Sequence, residues 1–118
     1  MFELGALESE VMHRLWAAEE KLSVHDLVAS FGESRKLAYT TVLTVVTHLY
    51  EKGWVTREKR RRAYFYEPAR DRAAAVTAAL RKLLVAGGDP PGTLQYFAST
   101  LSRDEHDALV RGWESRAG

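Results

Sequence analysis

The chain has 118 residues, 46% hydrophobic and 28% charged, a balance that suits a folded domain and excludes a disordered one. It contains no cysteine, which excludes disulfides, thiolate metal sites, cysteine nucleophiles and thiol redox sensing. The net charge of +1 hides a segregation: residues 1–34 carry two basic and seven acidic side chains, residues 35–72 ten and four, residues 73–118 five of each, so the middle third is built to meet a polyanion.

In chain order, a first helix is expected from about Leu7 to Ala18. Leu7, Val11, Met12, Leu15 and Trp16 form its apolar stripe, and Glu8 and Glu10 suit the positive end of its dipole. Lys21 to Val24 is a short extended piece. Ser23 with Asp26 marks the start of a second helix, in which Leu27, Val28 and Phe31 face inward and Gly32 is the stop. Between Thr40 and Thr47 every residue except Leu43 is β-branched, which favours a strand on propensity. Periodicity opposes that, because Val42, Val45, Val46 and Leu49 follow helical spacing and Gly53 supplies a stop. A third helix from Leu37 to Lys52 is the expectation.

Residues 54–59 and 63–67 are expected to form a hairpin with Arg60, Arg61 and Arg62 at its tip, closed by Pro68. An alanine-rich helix from Arg70 to Ala86 follows, then a loop from Gly87 to Gly92 and a short helix from Gly92 to Ser99. A last helix starts at the Ser102–Glu105 capping box. This order predicts a mainly α fold with a small β wing: a winged helix-turn-helix domain over 1–70 and a helical dimerisation region over 71–118.

On the third helix, Thr40, Thr44, Thr47 and Glu51 gather opposite the apolar face, flanked by Leu43 and His48. A threonine hydroxyl can bond base edges or phosphates while its methyl meets a thymine methyl. The hairpin that follows places Arg57, Lys59, Arg60, Arg61 and Arg62 within six residues, opposed by Glu58, where guanidinium groups can lie on phosphates or in a minor groove. The candidate DNA-binding set is therefore Arg35, Lys36, Tyr39, Thr40, Thr41, Leu43, Thr44, Thr47, His48, Arg57, Arg60, Arg61 and Arg62. Of Tyr64 and Tyr66, at alternate strand positions, one or both are expected to pack on the core or dimer side. An enzyme is not expected, since there is no glycine-rich phosphate loop, nucleophile elbow or HExxH pattern. The four histidines, at positions 13, 25, 48 and 106, have no metal-ligand spacing, and neither a metal nor a cofactor is expected. No apolar run approaches the roughly 18 residues of a membrane span, and the opening MFELGALESE lacks the basic region of a secretory signal. A cytoplasmic protein without membrane insertion is the expectation.

Leu4-Gly5-Ala6-Leu7-Glu8-Ser9-Glu10-Val11-Met12 with Leu15-Trp16 resembles the opening of the penicillinase-repressor (BlaI/MecI) family. Thr41 to Gly53 is similar to the family's recognition helix in its TVxTxxxxLxxKG pattern, and Arg62-Ala63-Tyr64-Phe65-Tyr66 to its wing strand. The resemblance is strong over residues 4–68 and weak in the tail. It implies a homodimeric repressor on a palindromic double-stranded operator that controls resistance or membrane-stress genes. It also implies release by cleavage near Tyr96-Phe97 after a membrane-bound sensor protease detects a β-lactam. The chain departs from the family at Leu37-Ala38, Leu43 and His48, where members often carry Trp-Ser, a basic residue and arginine. That shifts electrostatic weight to the wing. The cysteine-rich ending of copper-responsive relatives is lacking.

In the tail, Leu80, Leu83, Leu84, Leu94, Phe97, Leu109, Val110 and Trp113 are more apolar side chains than one small lobe covers, so pairing of two tails is expected. Two other readings stay open: a winged-helix sensor whose tail helices enclose an effector between Leu83, Leu94, Phe97 and Trp113, and a winged helix that contacts protein alone.

Overall fold

A computed structural model describes residues 4–116. Helix α1 (Ala6–Ala17) starts where the Gly5 N–H donates to Glu8 Oε1 at 2.8 Å, and it buries Val11, Met12 and Leu15. Strand β1 (Leu22–Ser23) leads directly into α2 (Val24–Phe31). The helix start expected there is closed by a capping box: the Asp26 N–H donates to Ser23 Oγ at 3.1 Å and the Ser23 N–H to Asp26 Oδ2 at 2.9 Å. Gly32, at φ 72, ends the helix, and a short 3-10 turn over Glu33–Arg35 follows that no sequence pattern announced.

The β-branched segment is helical, as α3 (Tyr39–Glu51). A β-branched residue costs a helix at most about 0.7 kcal/mol. Val42, Val45, Val46 and Leu49 are all buried, and each buried side chain of this size is worth roughly 1.5–3 kcal/mol, so packing outweighs propensity. The end of α3 is a left-handed cap. Gly53 sits at φ 82, its N–H donates to Tyr50 O at 3.1 Å, and the Trp54 N–H donates to Leu49 O at 2.9 Å. Trp54 is thereby turned onto the core.

Strands β2 (Val55–Arg60) and β3 (Ala63–Pro68) pair antiparallel, from Val55 opposite Pro68 to Arg60 opposite Ala63. Arg60 is therefore the last residue of a strand rather than part of the turn, and the hairpin loop is Arg61-Arg62 alone. The wing also gains a third member. Strand β1 pairs with β3, with Leu22 opposite Tyr66, which gives the order β1-β3-β2 and anchors the hairpin to the start of α2.

Contacts divide the chain into a unit over Met1–Ala79 and another over Leu80–Gly118. The boundary falls within helix α4 (Arg72–Ala86): its first half, with buried Ala75 and Ala79, lies in the first unit, and its second half, with exposed Leu80 and Leu83, in the second. The expected loop from Gly87 to Gly92 is shorter, because α5 runs Pro90–Ser99. Asp89 caps it, accepting from the Gly92 N–H at 3.1 Å, and Pro90-Pro91 form its first turn, where a missing N–H costs no hydrogen bond. Helix α6 (Arg103–Ser115) begins at Ser102, as the capping box indicated. Neither α5 nor α6 buries a residue. No described helix is long and apolar enough to cross a membrane.

Candidate nucleic-acid interface

Three elements of the first unit carry the candidate residues: the turn before α3, α3 itself, and the β2–β3 hairpin. With Val42, Val45, Val46 and Leu49 committed to the core, α3 leaves Tyr39, Thr40, Thr41, Leu43, Thr44 and His48 exposed and Thr47 half-buried. The threonines are not free rotors. Thr44 Oγ1 donates to Thr40 O at 2.9 Å and Thr47 Oγ1 donates to Leu43 O at 2.7 Å. Their hydroxyl protons are occupied, so what they offer outward is an acceptor lone pair and a methyl, suited to an exocyclic base amine or a thymine methyl. The Tyr39 ring lies 4.6 Å from His25 on α2, a contact between the two helices that the sequence did not signal.

The hairpin carries the densest positive charge. Arg61 and Arg62 form its turn, and Arg61 adopts φ 57, a left-handed backbone normally left to glycine, asparagine or aspartate. Arg60, one residue earlier, is paired with Glu58 at 2.5 Å, and its guanidinium lies 5.0 Å from the Phe65 ring. Lys21, just before β1, reaches the same Glu58 at 3.0 Å and Glu67 at 3.7 Å. The hydrogen bond from Arg60, followed by that from Lys21, holds the Glu58 carboxyl below the usual range. The bond to Glu58 in turn raises the Lys21 ammonium.

Two more cations near α3 have carboxylate partners on α1. Arg35 pairs with Glu10, and Lys52 Nζ lies 2.9 Å from Glu8 Oε1. Burial would raise the Glu8 carboxyl, but the Gly5 N–H and Lys52 outweigh it, so its pKa is lowered. Lys36, Arg61 and Arg62 are exposed without an ion pair among the described residues, as is Lys59, whose Nζ lies over the Tyr64 ring at 5.9 Å.

The structure thus brings Arg35 to His48 and Arg57 to Arg62 onto one unit, and it moves Arg57 out of the simple charge run. Arg57 stands opposite Tyr66, which is 1% exposed, so it shares the inner face of the sheet with Val55 and Tyr66 and is half-buried. The period of two along β2 was the signal for this. Of the two tyrosines Tyr66 packs inward, while Tyr64, two residues back on the same face of β3 and nearer the hairpin tip, remains exposed. The tail residues Leu80, Leu83, Leu94, Phe97, Leu109, Val110 and Trp113 are exposed, and Leu84 is half-buried. An open groove of about 500 Å³ in the tail is lined by Asp89, Gly92, Thr93, Tyr96, Phe97 and Thr100. Of the four side chains expected around an effector it borders Phe97 alone.

The family model described as penicillinase repressor matches residues 4–115. The chain belongs to the penicillinase repressor family. It is 34% identical over 111 residues to the transcriptional regulator BlaI of Mycobacterium tuberculosis, covering 92% of this chain and 80% of that one. It is 28% identical over 65 residues to the methicillin resistance regulatory protein MecI of Mammaliicoccus sciuri, covering 55% of this chain and 52% of the other. Among solved structures, MepR, a transcription regulator of the Staphylococcus aureus multidrug efflux pump MepA, matches with a TM-score of 0.53 at 15% identity. That match covers 96% of this chain and 77% of MepR and shows the winged-helix fold alone. As a member of that family the chain is a DNA-binding transcriptional regulator of the repressor type and not an enzyme.

Proposed function

We propose that the chain represses transcription as a homodimer on a palindromic operator, with α3 in the major groove and the β2–β3 hairpin on the phosphate backbone or in the minor groove. The observation that carries this reading is the exposed row Thr40, Thr41, Thr44 and His48 on α3, in the same unit as a hairpin turned at Arg61-Arg62. Threonine acceptors and methyls supply sequence selectivity, and the arginines supply sequence-independent affinity. Lys36, Arg35 and Arg60 add backbone contacts, the last two by exchanging a carboxylate for a phosphate.

The exposed apolar side chains of α4, α5 and α6 support pairing of two tails across a two-fold axis, with recognition helices about 34 Å apart, one turn of DNA. The protein works in the cytoplasm on antibiotic-resistance genes. Release follows cleavage at Tyr96-Phe97, exposed on α5, by a membrane-bound sensor protease, because each half then loses the avidity of two linked sites.

The test is selection of bound sequences from random duplex DNA at fixed salt, repeated with Thr44→Ala. A palindromic consensus is expected, with Thr44→Ala relaxing one or two positions at a cost of about 1–3 kcal/mol on the selected duplex and little on random DNA. Recovery of no consensus would remove the operator reading. A uniform loss across all sequences would move Thr44 to the backbone.

A further inference from the structure

Arg57 differs from the other cations around α3. Its guanidinium lies 4.0 Å from the centroid of the Tyr50 ring, on the last turn of α3, and 4.2 Å from that of Tyr64 on β3. Two rings from two elements hold one cation on a third element, β2. Arg35, Lys52 and Arg60 are each matched by a carboxylate, whereas among the described residues no carboxylate or carbonyl accepts from Arg57. Stacking on aromatic rings fixes a guanidinium through its π faces and leaves its N–H edge unused. The Arg57 nitrogens are not among the buried polar atoms left without a partner, so that edge faces solvent and can exchange water for an anion.

We propose that Tyr50, Arg57 and Tyr64 form a preset phosphate fork at the crease between α3 and the hairpin, taking one backbone phosphodiester of duplex DNA in bidentate fashion. The chemistry selects that ligand. A planar guanidinium donates two parallel N–H bonds to two phosphate oxygens, which an ammonium cannot do. The rings meanwhile remove the side-chain freedom that would otherwise be lost on binding. The crease is where a strand of DNA passes from the helix in its groove to the wing on its flank. The fork rests on the DNA-binding reading and adds to it a contact whose geometry is set before the duplex arrives.

The experiment uses the full chain with the selected duplex and an unrelated duplex of equal length, titrated at several salt concentrations. Arg57→Met, which keeps the stem and loses the charge, should weaken both duplexes by about tenfold, the scale of a charge-assisted hydrogen-bond pair. It should also flatten the log–log salt slope by about 0.9. Arg57→Lys should keep the slope but lose about fivefold in affinity, because charge remains without the fork. Tyr50→Phe and Tyr64→Phe keep the rings and should bind as wild type, whereas Tyr64→Leu should lose affinity with no change of slope. These variants also separate the fork from a folding defect, since thermal midpoints are compared throughout. Wild-type binding with an unchanged slope in Arg57→Met overturns the fork alone. A wild-type chain that binds no duplex overturns the DNA-binding reading and the fork with it.

Discussion

Replacing Arg61 with glycine should change folding and binding in opposite directions. Arg61 is the first residue of a two-residue hairpin turn and carries φ 57. A residue with a side chain pays about 1–2 kcal/mol to occupy the left-handed region, which glycine occupies freely. Glycine returns about 0.5–1 kcal/mol of that through its greater freedom in the unfolded chain. The net is a gain of roughly 0.5–1 kcal/mol, or a few degrees in the melting temperature of a domain this size. Binding should fall on selected and unrelated duplexes alike, with the salt slope flattened by about 0.9 for one lost phosphate contact. Arg61→Ala separates the two effects: it loses the same contact but keeps the left-handed backbone, so it should bind like the glycine variant without melting higher. Calorimetry and fluorescence anisotropy at three salt concentrations are sufficient. The reasoning is wrong if Arg61→Gly melts no higher than Arg61→Ala, or if both bind as wild type.

Glu58→Gln should tighten DNA binding severalfold, because it releases Arg60 and Lys21 from a shared carboxylate; unchanged or weaker binding would show that Arg60 has no part in the contact. The Glu8 carboxyl titrates below its ordinary value, so the stability it contributes is present above about pH 4.5 and lost as pH falls through its lowered folded pKa. Urea midpoints of wild type and Glu8→Gln should therefore differ by a constant amount from pH 7 to 5 and draw together in more acid solution, and a gap that does not narrow as the pH falls would refute the Glu8–Lys52 tie. Trp113→Asp should yield a monomer at micromolar concentration, since Trp113 is 67% exposed in the single chain and burying a side chain of this class is worth several kcal/mol. Sedimentation that shows an intact dimer would move the interface off α6.

What the sequence disclosed followed from periodicity and caps. Val42, Val45, Val46 and Leu49 are spaced for one helical face, and Ser23, Gly32, Gly53 and Ser102 mark ends that the backbone respects. Pro90-Pro91 was misleading because proline breaks a helix interior but suits its first turn, and the two cases look alike until the capping Asp89 is placed. The pairing of β1 with β3 joins positions more than 40 residues apart, so nothing local to Leu22-Ser23 specifies it. The basic wing was legible as charge, but its internal order was not. Counting arginines does not distinguish Arg57, held by two tyrosines on the inner face, from Arg61, held by a turn. That distinction needs the register.

The acidic first third and the basic middle third are tied to each other by ion pairs. Glu8 and Glu10 of α1 reach Lys52 and Arg35, and Glu58 takes Arg60. Among the described cations from Arg35 to Arg62, Lys36, Arg57, Lys59, Arg61 and Arg62 are left without an ion pair. If DNA meets only these, the salt slope of one protomer should be near −4.5 and that of a pair near −9, at about 0.9 per neutralised phosphate. A steeper slope requires further cations to meet phosphate, and around α3 and the hairpin these are Arg35, Lys52 and Arg60, which would have to change partners on binding. In that event Glu10→Gln should leave the slope intact while raising affinity, because the variant no longer has a carboxylate to displace. A slope near −9 together with an inert Glu10→Gln variant would show that the acidic third keeps its cations when DNA is bound, and that α1 limits the footprint rather than extending it.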